Sequence, residues 1–283
     1  MIDSDMSRAI MQTGSNTRIF SYGGGVQSTA VLVLASQGKV QYDHFLFSNV
    51  GDDSEHPDTL DYFEDVAKPF AQEHGIDLRE VRKYRKGEIE TIRGRIFSNR
   101  KTVPIPVRLE SGAPGRRSCT FDFKIGVIDR WVRQHRNGQS RFTIGLGIST
   151  DEIQRARSEP AREVYKGLFK VLEYPLIDMR LSRRDCMALI FDAGLPQPPK
   201  SACYFCPFHN DQAWYEMRQK RPDLFFDAVK IEKHLQDKRM KLWGKDKVWM
   251  HRKLIPLDQA IPDQPFLFDI DDMDNCESGY CFT

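Results

Sequence analysis

The sequence predicts an α/β protein: a parallel sheet with helices on both faces, followed by a mainly helical C-terminal region. Three observations carry this. Apolar runs at Thr17–Tyr22, 42–50 and 76–82 have the length of strands. Between them, 27–37 (QSTAVLVLASQ) reads as an apolar helix, and 57–74 places Leu60, Phe63, Val66 and Phe70 at helical spacing. Each helical stretch ends at a glycine, Gly38 and Gly75. Strand–helix–strand alternation of this kind implies right-handed crossovers and parallel pairing.

The first seventeen residues, MIDSDMSRAIMQTGSNT, lack a cationic start followed by an apolar block, so 1–16 read as a flexible arm and not as a secretory leader. The regular pattern breaks at 83–117, which hold ten Lys and Arg, three Pro and four Gly. This stretch is expected to be a basic, partly mobile excursion. The pattern resumes with a helix over 121–134 and a buried strand over 141–149. A helix over 182–193 follows, with Ser182 as its N-cap and Gly194 beyond its end. LPQPPK forms a hinge before a cysteine segment. A helical region spans 211–238, and the tail FDIDDMDNCESGYCFT is acidic. The expected organisation is therefore an arm (1–16), a nucleotide-binding domain (17–180) carrying the 83–117 insertion, and a helical, cysteine-containing region (181–283).

At 283 residues, 40% hydrophobic and a net charge of +2, the chain can bury a core and shows no global polyanion signal. No apolar run approaches the roughly 18 residues of a membrane span. Six cysteines without an export signal suggest a reducing, cytoplasmic setting, where clustered cysteines more often bind metal or do redox chemistry than form disulfides.

The stretch Ser21-Tyr22-Gly23-Gly24-Gly25-Val26-Gln27-Ser28-Thr29 joins the first strand to the first helix. Two readings compete: a plain tight turn, or a phosphate cradle. A glycine turn opening a helix gathers backbone N–H groups at the positive end of the helix dipole, where phosphate oxygens bind. Glycine is required because side chains block the approach and because some turn positions want positive φ. Neither the Walker spacing nor GxGxxG is present.

This segment resembles the PP-loop of the adenine-nucleotide α-hydrolase superfamily, Ser-Gly-Gly-x-Asp-Ser-Thr, with Gln27 at the position where many members have Asp. Gln is also found in the phosphoadenosine phosphosulfate (PAPS) reductase branch. Asn49-Val-Gly-Asp-Asp-Ser-Glu-His-Pro-Asp-Thr59 is similar to a lengthened form of that branch's second motif. Gly145-Leu-Gly-Ile-Ser-Thr-Asp-Glu152 followed by Arg155 is similar to its third. The resemblance covers about 17–180. It implies a Rossmann-like (HUP-type) fold with ligand at the carboxyl ends of the strands.

By that resemblance, Ser21, Tyr22, Gly23, Gly24, Gly25, Ser28 and Thr29 hold phosphates, while Asn49, Gly51, Gly145, Gly147 and Ile148 shape an adenosine pocket. Gln27, Ser28, Asp52, Asp53, Lys124 and Arg155 are the candidate catalytic groups. Asp52, Asp53 and Glu55 are placed to hold Mg²⁺ through oxygen; the competing reading is a solvated loop with a helix cap. Lys124 and Arg155 are either phosphate cations or surface charges.

Cys203-Tyr-Phe-Cys206-Pro-Phe-His209 brings two sulfurs within reach of one metal. Resemblance to iron–sulfur members of the reductase branch adds Cys119, although Ser118 stands where a second cysteine is expected. Three cysteines with an open iron suit a 4Fe–4S cluster, as in tRNA-thiolating relatives. Zn²⁺ with Cys281 as fourth ligand is the alternative, and buried thiols without metal the third reading. Cys186 reads as core, and His209 as structural. PAPS reductases carry a Glu-Cys-Gly-x-His segment, which the ending Cys276-Glu-Ser-Gly-Tyr-Cys281-Phe-Thr283 does not reproduce. In 211–249, Trp214, Tyr215, Phe225, Phe226, Trp243 and Trp249 alternate with basic residues, which suits either nucleic-acid contact or an amphipathic helix with its aromatics inward.

The expected function is cleavage of ATP to AMP, or an adenylated acceptor, and pyrophosphate, with ATP and Mg²⁺ as substrate and cofactor. The alternatives are a sulfonucleotide reductase, an iron–sulfur tRNA or DNA sulfurtransferase, and a non-catalytic module binding nucleotide or nucleic acid. Similar proteins accompany CRISPR and other phage or plasmid loci, which would add a nucleic-acid or ribonucleoprotein partner.

Overall fold

The computed structural model describes residues 16–136, 138–156, 162–244 and 247–263. Two compact units are interleaved along the chain. The first comprises Met1–Ser48, Asp61–Val81 and Gly126–Lys200; the second comprises Asn49–Leu60, Arg82–Ile125 and Ser201–Thr283. This differs from a single division near residue 180, because the basic 82–125 segment shares an apolar core with the C-terminal region.

In chain order the elements are β1 (Thr17–Tyr22), α1 (Val26–Ser36), β2 (His44–Asn49), and α2 (Pro57–Tyr62), which continues through a π-helical turn (Phe63–Ala67) into α3 (Lys68–Glu73). Then come β3 (Leu78–Arg82), the hairpin β4 (Tyr84–Arg85) and β5 (Glu88–Ile89), and α4 (Ile92–Phe97). A second π-helical turn (Thr120–Ile125) leads into α5 (Gly126–His135) and β6 (Arg141–Leu146), followed by a 3-10 helix (Thr150–Arg155). The remaining elements are β7 (Arg162–Tyr165), β8 (Leu168–Glu173), α6 (Pro175–Asp178), α7 (Arg183–Asp192), α8 (Asp211–Lys220), α9 (Pro222–Trp243) and α10 (Leu257–Ala260).

The first unit is built on a six-stranded sheet of order β3-β2-β1-β6-β8-β7. β1 pairs in parallel with both β2 and β6, and β6 with β8; β7 is an antiparallel edge. The sequence pattern did not disclose β7 and β8, whose residues alternate too weakly between buried and exposed to read as strands. The order reverses at β1: the chain moves one way to β2 and β3 and returns on the other side with β6. Such a switch point opens a crevice at the carboxyl ends of the two central strands.

α1 is apolar all round, with Val26 and Ala30 through Leu34 buried. A helix of that kind must be covered on both sides; α1 packs on α7 as well as against β1. Cys186, on α7, is fully buried, and burial pushes its thiol up to about 12. It is core, as its neighbours in sequence imply.

The second unit has its own core. Ile92 and Ile96 of α4, Ile105, Val107 and Phe123 join Trp214, Met217, Phe225, Ile231, Leu235 and Met250. The supposed basic excursion thus supplies core residues and has regular elements of its own. Three of its cations are matched within the unit: Arg95, 4% exposed, bridges Glu90 and Asp122, Arg100 pairs with Glu90, and Arg93 with Asp227. Trp214 and Phe225 are fully buried, so these aromatics of α8 and α9 serve packing. At the start of α8, Asp211 accepts from the buried His251 (3.0 Å), with Arg252 and Lys253 at 3.3 and 3.4 Å.

Two stability measurements follow. Leu32→Ala, at a fully buried site between sheet and helix, is expected to lower the free energy of unfolding by about 2–5 kcal/mol in denaturant titration. The His251 partnership, joined by Arg252 and Lys253, holds the Asp211 carboxyl down at about 2. A depressed carboxylate stabilises above its unfolded value and loses that contribution as pH falls through the folded one. Between pH 4 and pH 2 the unfolding free energy should fall by about 2 kcal/mol more in the native chain than in Asp211→Asn.

Candidate functional site

At the carboxyl end of β1 the chain turns through Gly23, Gly24 and Gly25 straight into α1. Gly24 has φ +77°, in the left-handed region that glycine enters freely. Gly25 is the N-cap, and no side chain caps the helix from that position. The first turn of α1 contains no acidic residue. Its leading amides have no carbonyl four residues back within the helix, and the dipole adds partial positive charge there.

The loop hydroxyls are engaged in the structure of the turn itself. Ser28 Oγ accepts from the Gly25 amide (3.1 Å) and donates to the Gly25 carbonyl (2.9 Å). Thr29 Oγ1 pairs with the Tyr22 hydroxyl at 3.0 Å. Burial raises the Tyr22 phenol far above its usual range, so the ring stays neutral and ties the end of β1 to α1. Ser28 and Thr29 therefore brace the turn itself.

β6 completes this end of the sheet. Ser21 is in register with Leu146, and Phe20 with Gly145. Gly145 lies against the Tyr42 ring, where a Cβ would come within 2.4 Å of the hydroxyl. Gly147 lies against the turn: a Cβ there would come within 3.2 Å of the Ser28 amide nitrogen and 3.3 Å of the Gln27 carbonyl carbon. Ile148 is buried beside it. Of the expected nucleotide-site residues, the structure brings together Ser21 to Thr29 with Gly145, Gly147 and Ile148, all in the first unit.

Arg155 belongs to the same unit and is already matched. Its Nη1 donates to Glu152 Oε2 at 2.6 Å, and Gln27 Nε2 donates to that same oxygen at 3.2 Å. A residue not singled out from sequence lies beside them: Arg183, first in α7, donates from Nη1 to Gln27 Oε1 at 3.1 Å. Its backbone amide bonds the Asp151 carboxylate. One signal was available in the sequence. Arg183 and Arg184 directly follow the Ser182 cap, and cations in a helix's first turn oppose its dipole. Local rules broken in this way tend to mark functional positions.

The remaining candidates lie in the second unit. Asn49 Nδ2 donates to Asp52 Oδ1, and its Oδ1 accepts from the Gly51 amide, both at 2.8 Å. Both oxygens of Asp52 accept from Arg82, at 2.6 and 2.9 Å, and this guanidinium holds its carboxyl below the usual range. Asp53 accepts from Ser54 and Thr91. Gly51 has φ +131° and lies against Thr91. Glu55 is 1% exposed, not solvated, and burial raises its carboxyl; its Oε2 has no hydrogen-bond partner among the described residues. Lys124 is within electrostatic reach of Glu55, Cys119 and Cys203.

Cys203 and Cys206 form a tight turn, the Cys206 amide bonding the Cys203 carbonyl at 3.0 Å. His209 bonds that carbonyl too, through Nε2 at 2.9 Å, which suits its reading as structural. Burial is the chief cause that raises the Cys119 and Cys203 thiols. Cys276 and Cys281 lie outside the described residues. The donor chemistry of three thiols beside a carboxyl suits a metal, yet among the described residues no three Cys, His, Asp or Glu side chains converge to hold an ion. As arranged, Asp52 and Asp53 are engaged by Arg82, Ser54 and Thr91, and Cys281, the fourth thiol of the Zn²⁺ expectation, lies outside the described residues. No described helix is long and apolar enough to cross a membrane.

No protein-family profile matches the sequence, and no curated protein does. Among solved structures the chain is similar to the U34-tRNA thiolase NcsA from Methanococcus maripaludis with its 4Fe–4S cluster. Identity is 15% and the TM-score 0.40, over 78% of this chain and 72% of that one. A likeness at that level says nothing of this chain's chemistry. The α/β architecture, a mostly parallel sheet with helices and a helical C-terminal region, is visible in the strand order itself.

Proposed function

We propose that this chain binds an adenine nucleotide by its phosphates at the 23–29 turn and cleaves ATP between the α- and β-phosphates. A nucleophile, water or an acceptor, bonds to the α-phosphorus. The bond to the bridging oxygen breaks, and pyrophosphate leaves with the electron pair, giving AMP or an adenylated acceptor. The observation that carries the reading is the placement of a three-glycine turn at the sheet's switch point, opening an 11-residue helix with no acid in its first turn. The resemblance of this turn and of 145–155 to the PP-loop superfamily supports the choice of nucleotide and of scissile bond.

The sulfur-transfer alternatives make different demands: a reductase needs an accessible thiolate, and an iron–sulfur sulfurtransferase needs converging thiols. Burial raises the Cys119 and Cys203 thiols, and Cys276 and Cys281 lie outside the described residues. No step of the proposed reaction is routed through a metal.

Wild-type protein incubated with ATP is expected to release pyrophosphate, with AMP or an adenylated acceptor identified by mass spectrometry. Gly24→Asp places a carboxylate and a strained φ in the cradle and should abolish release in a protein that remains folded by circular dichroism. ATP bound by the wild type with no pyrophosphate formed would leave a binding module and remove the enzyme. Gly147→Ala pushes a methyl onto the Ser28 amide. It should weaken ATP binding about tenfold with little change in melting temperature, because a shift of a few tenths of an ångström misaligns the amides without opening the core.

A further inference from the structure

We infer that Arg183 is the cation that recognises the β- and γ-phosphates at this site, and that Arg155, the arginine its motif suggests, is not. The inference rests on the phosphate-cradle reading and extends it to the choice between triphosphate and monophosphate.

The argument is one of charge accounting along a short polar chain. Arg183 Nη1, Gln27, Glu152 and Arg155 Nη1 are linked in series by bonds of 3.1, 3.2 and 2.6 Å. Two guanidiniums sit at the ends, and one carboxylate lies between them. That carboxylate belongs to Arg155: the Glu152–Arg155 pair is 2.6 Å long, with side chains only 19% and 11% exposed. A charge-assisted bond this short, partly desolvated, pairs both charges, while Arg155 Nε, also buried, has no hydrogen-bond partner among the described residues. Arg183 meets only the neutral amide oxygen of Gln27. Among the described residues its side chain is paired with no carboxylate, and it is exposed. Asp151 takes its backbone amide, and so neutralises the start of α7 and not the guanidinium.

Gln27 decides the outcome. An aspartate at this second position of α1 would pair with Arg183 and cancel it. A glutamine instead holds the guanidinium beside the first turn of α1 by a weak neutral bond that an anion can replace at small cost. The position of Arg183 at the start of α7 opposes that helix's dipole, a cost an incoming phosphate would relieve. A polyphosphate seated on the α1 amides would extend past Gln27, where a planar guanidinium fork can bond two oxygens at once.

The experiment measures binding by calorimetry of ATP, inorganic pyrophosphate, AMP and adenosine to wild type, Arg183→Ala, Arg183→Lys and Arg155→Ala, at two salt concentrations. Arg183→Ala should weaken ATP and pyrophosphate on the order of ten- to a hundredfold. It should leave adenosine unchanged and flatten the salt dependence, and Arg183→Lys should recover part of the loss. Equal losses for ATP and adenosine would reduce Arg183 to a tether between α1 and α7. Loss of ATP binding in Arg155→Ala but not in Arg183→Ala would overturn the assignment and leave the cradle standing. If the wild type binds neither ATP nor pyrophosphate, both fall. The exposed position of Arg183 leaves the fold intact, which unchanged melting temperatures would verify.

Discussion

The site depends on one constraint: the close approach of β6 to the turn between β1 and α1. The chain leaves β1 at Tyr22 and begins α1 four residues later, so the helix amides emerge at the level of the strand ends. They stay there because the backbone at Gly147 packs directly against the Gln27–Ser28 peptide. A Cβ there would force the turn to give by a few tenths of an ångström. The Ser28 bonds to Gly25, the Thr29–Tyr22 hydroxyl pair and the burial of α1 against α7 then fix the turn from the other sides. Hydroxyls that the motif suggests as ligand contacts are engaged in rigidity.

Electrostatics in the two units follow different rules. In the first, ion pairs are few around the turn and a guanidinium is held by a neutral amide. In the second, Glu90, Asp122 and Asp227 take up Arg93, Arg95 and Arg100 of a segment that reads as a run of ten cations in sequence. Charge density along a chain is therefore a poor guide to charge density in space. The acidic turn behaves alike: Asp52 and Asp53 are spent on Arg82, Asn49, Ser54 and Thr91, and Glu55 is folded inward beside Cys203.

Strand β1, the glycine turn, α1, β2, the Ser182 cap and the core position of Cys186 are legible from local pattern, because each is written in contiguous apolar periodicity or in a cap residue. Three features are not. β7 and β8 form an edge pair whose faces are both partly wet, which erases the period-two signal. The role of the 83–117 segment as core supplier depends on contacts with residues more than a hundred positions away, such as Ile96 with the α9 core. The pairing of Arg155 with Glu152, and of Gln27 with Arg183, depends on rotamers that no spacing rule reaches. Motif resemblance singled out the turn and the 145–155 segment, which the structure brings close at Gly147 and Gln27; it could not say which side chains pair there.

The interleaving of the two units has a consequence for how the protein is made. The chain enters and leaves each unit repeatedly, and the central strands β1 and β6 are separated by more than a hundred residues of sequence. A ribosome must therefore deliver the chain through Glu173 before β8 joins the first unit's sheet, while the edge of β1 that β6 will take stays open. Neither unit exists as a contiguous fragment that could be expressed alone or exchanged by recombination. Non-local closure of this kind is slow.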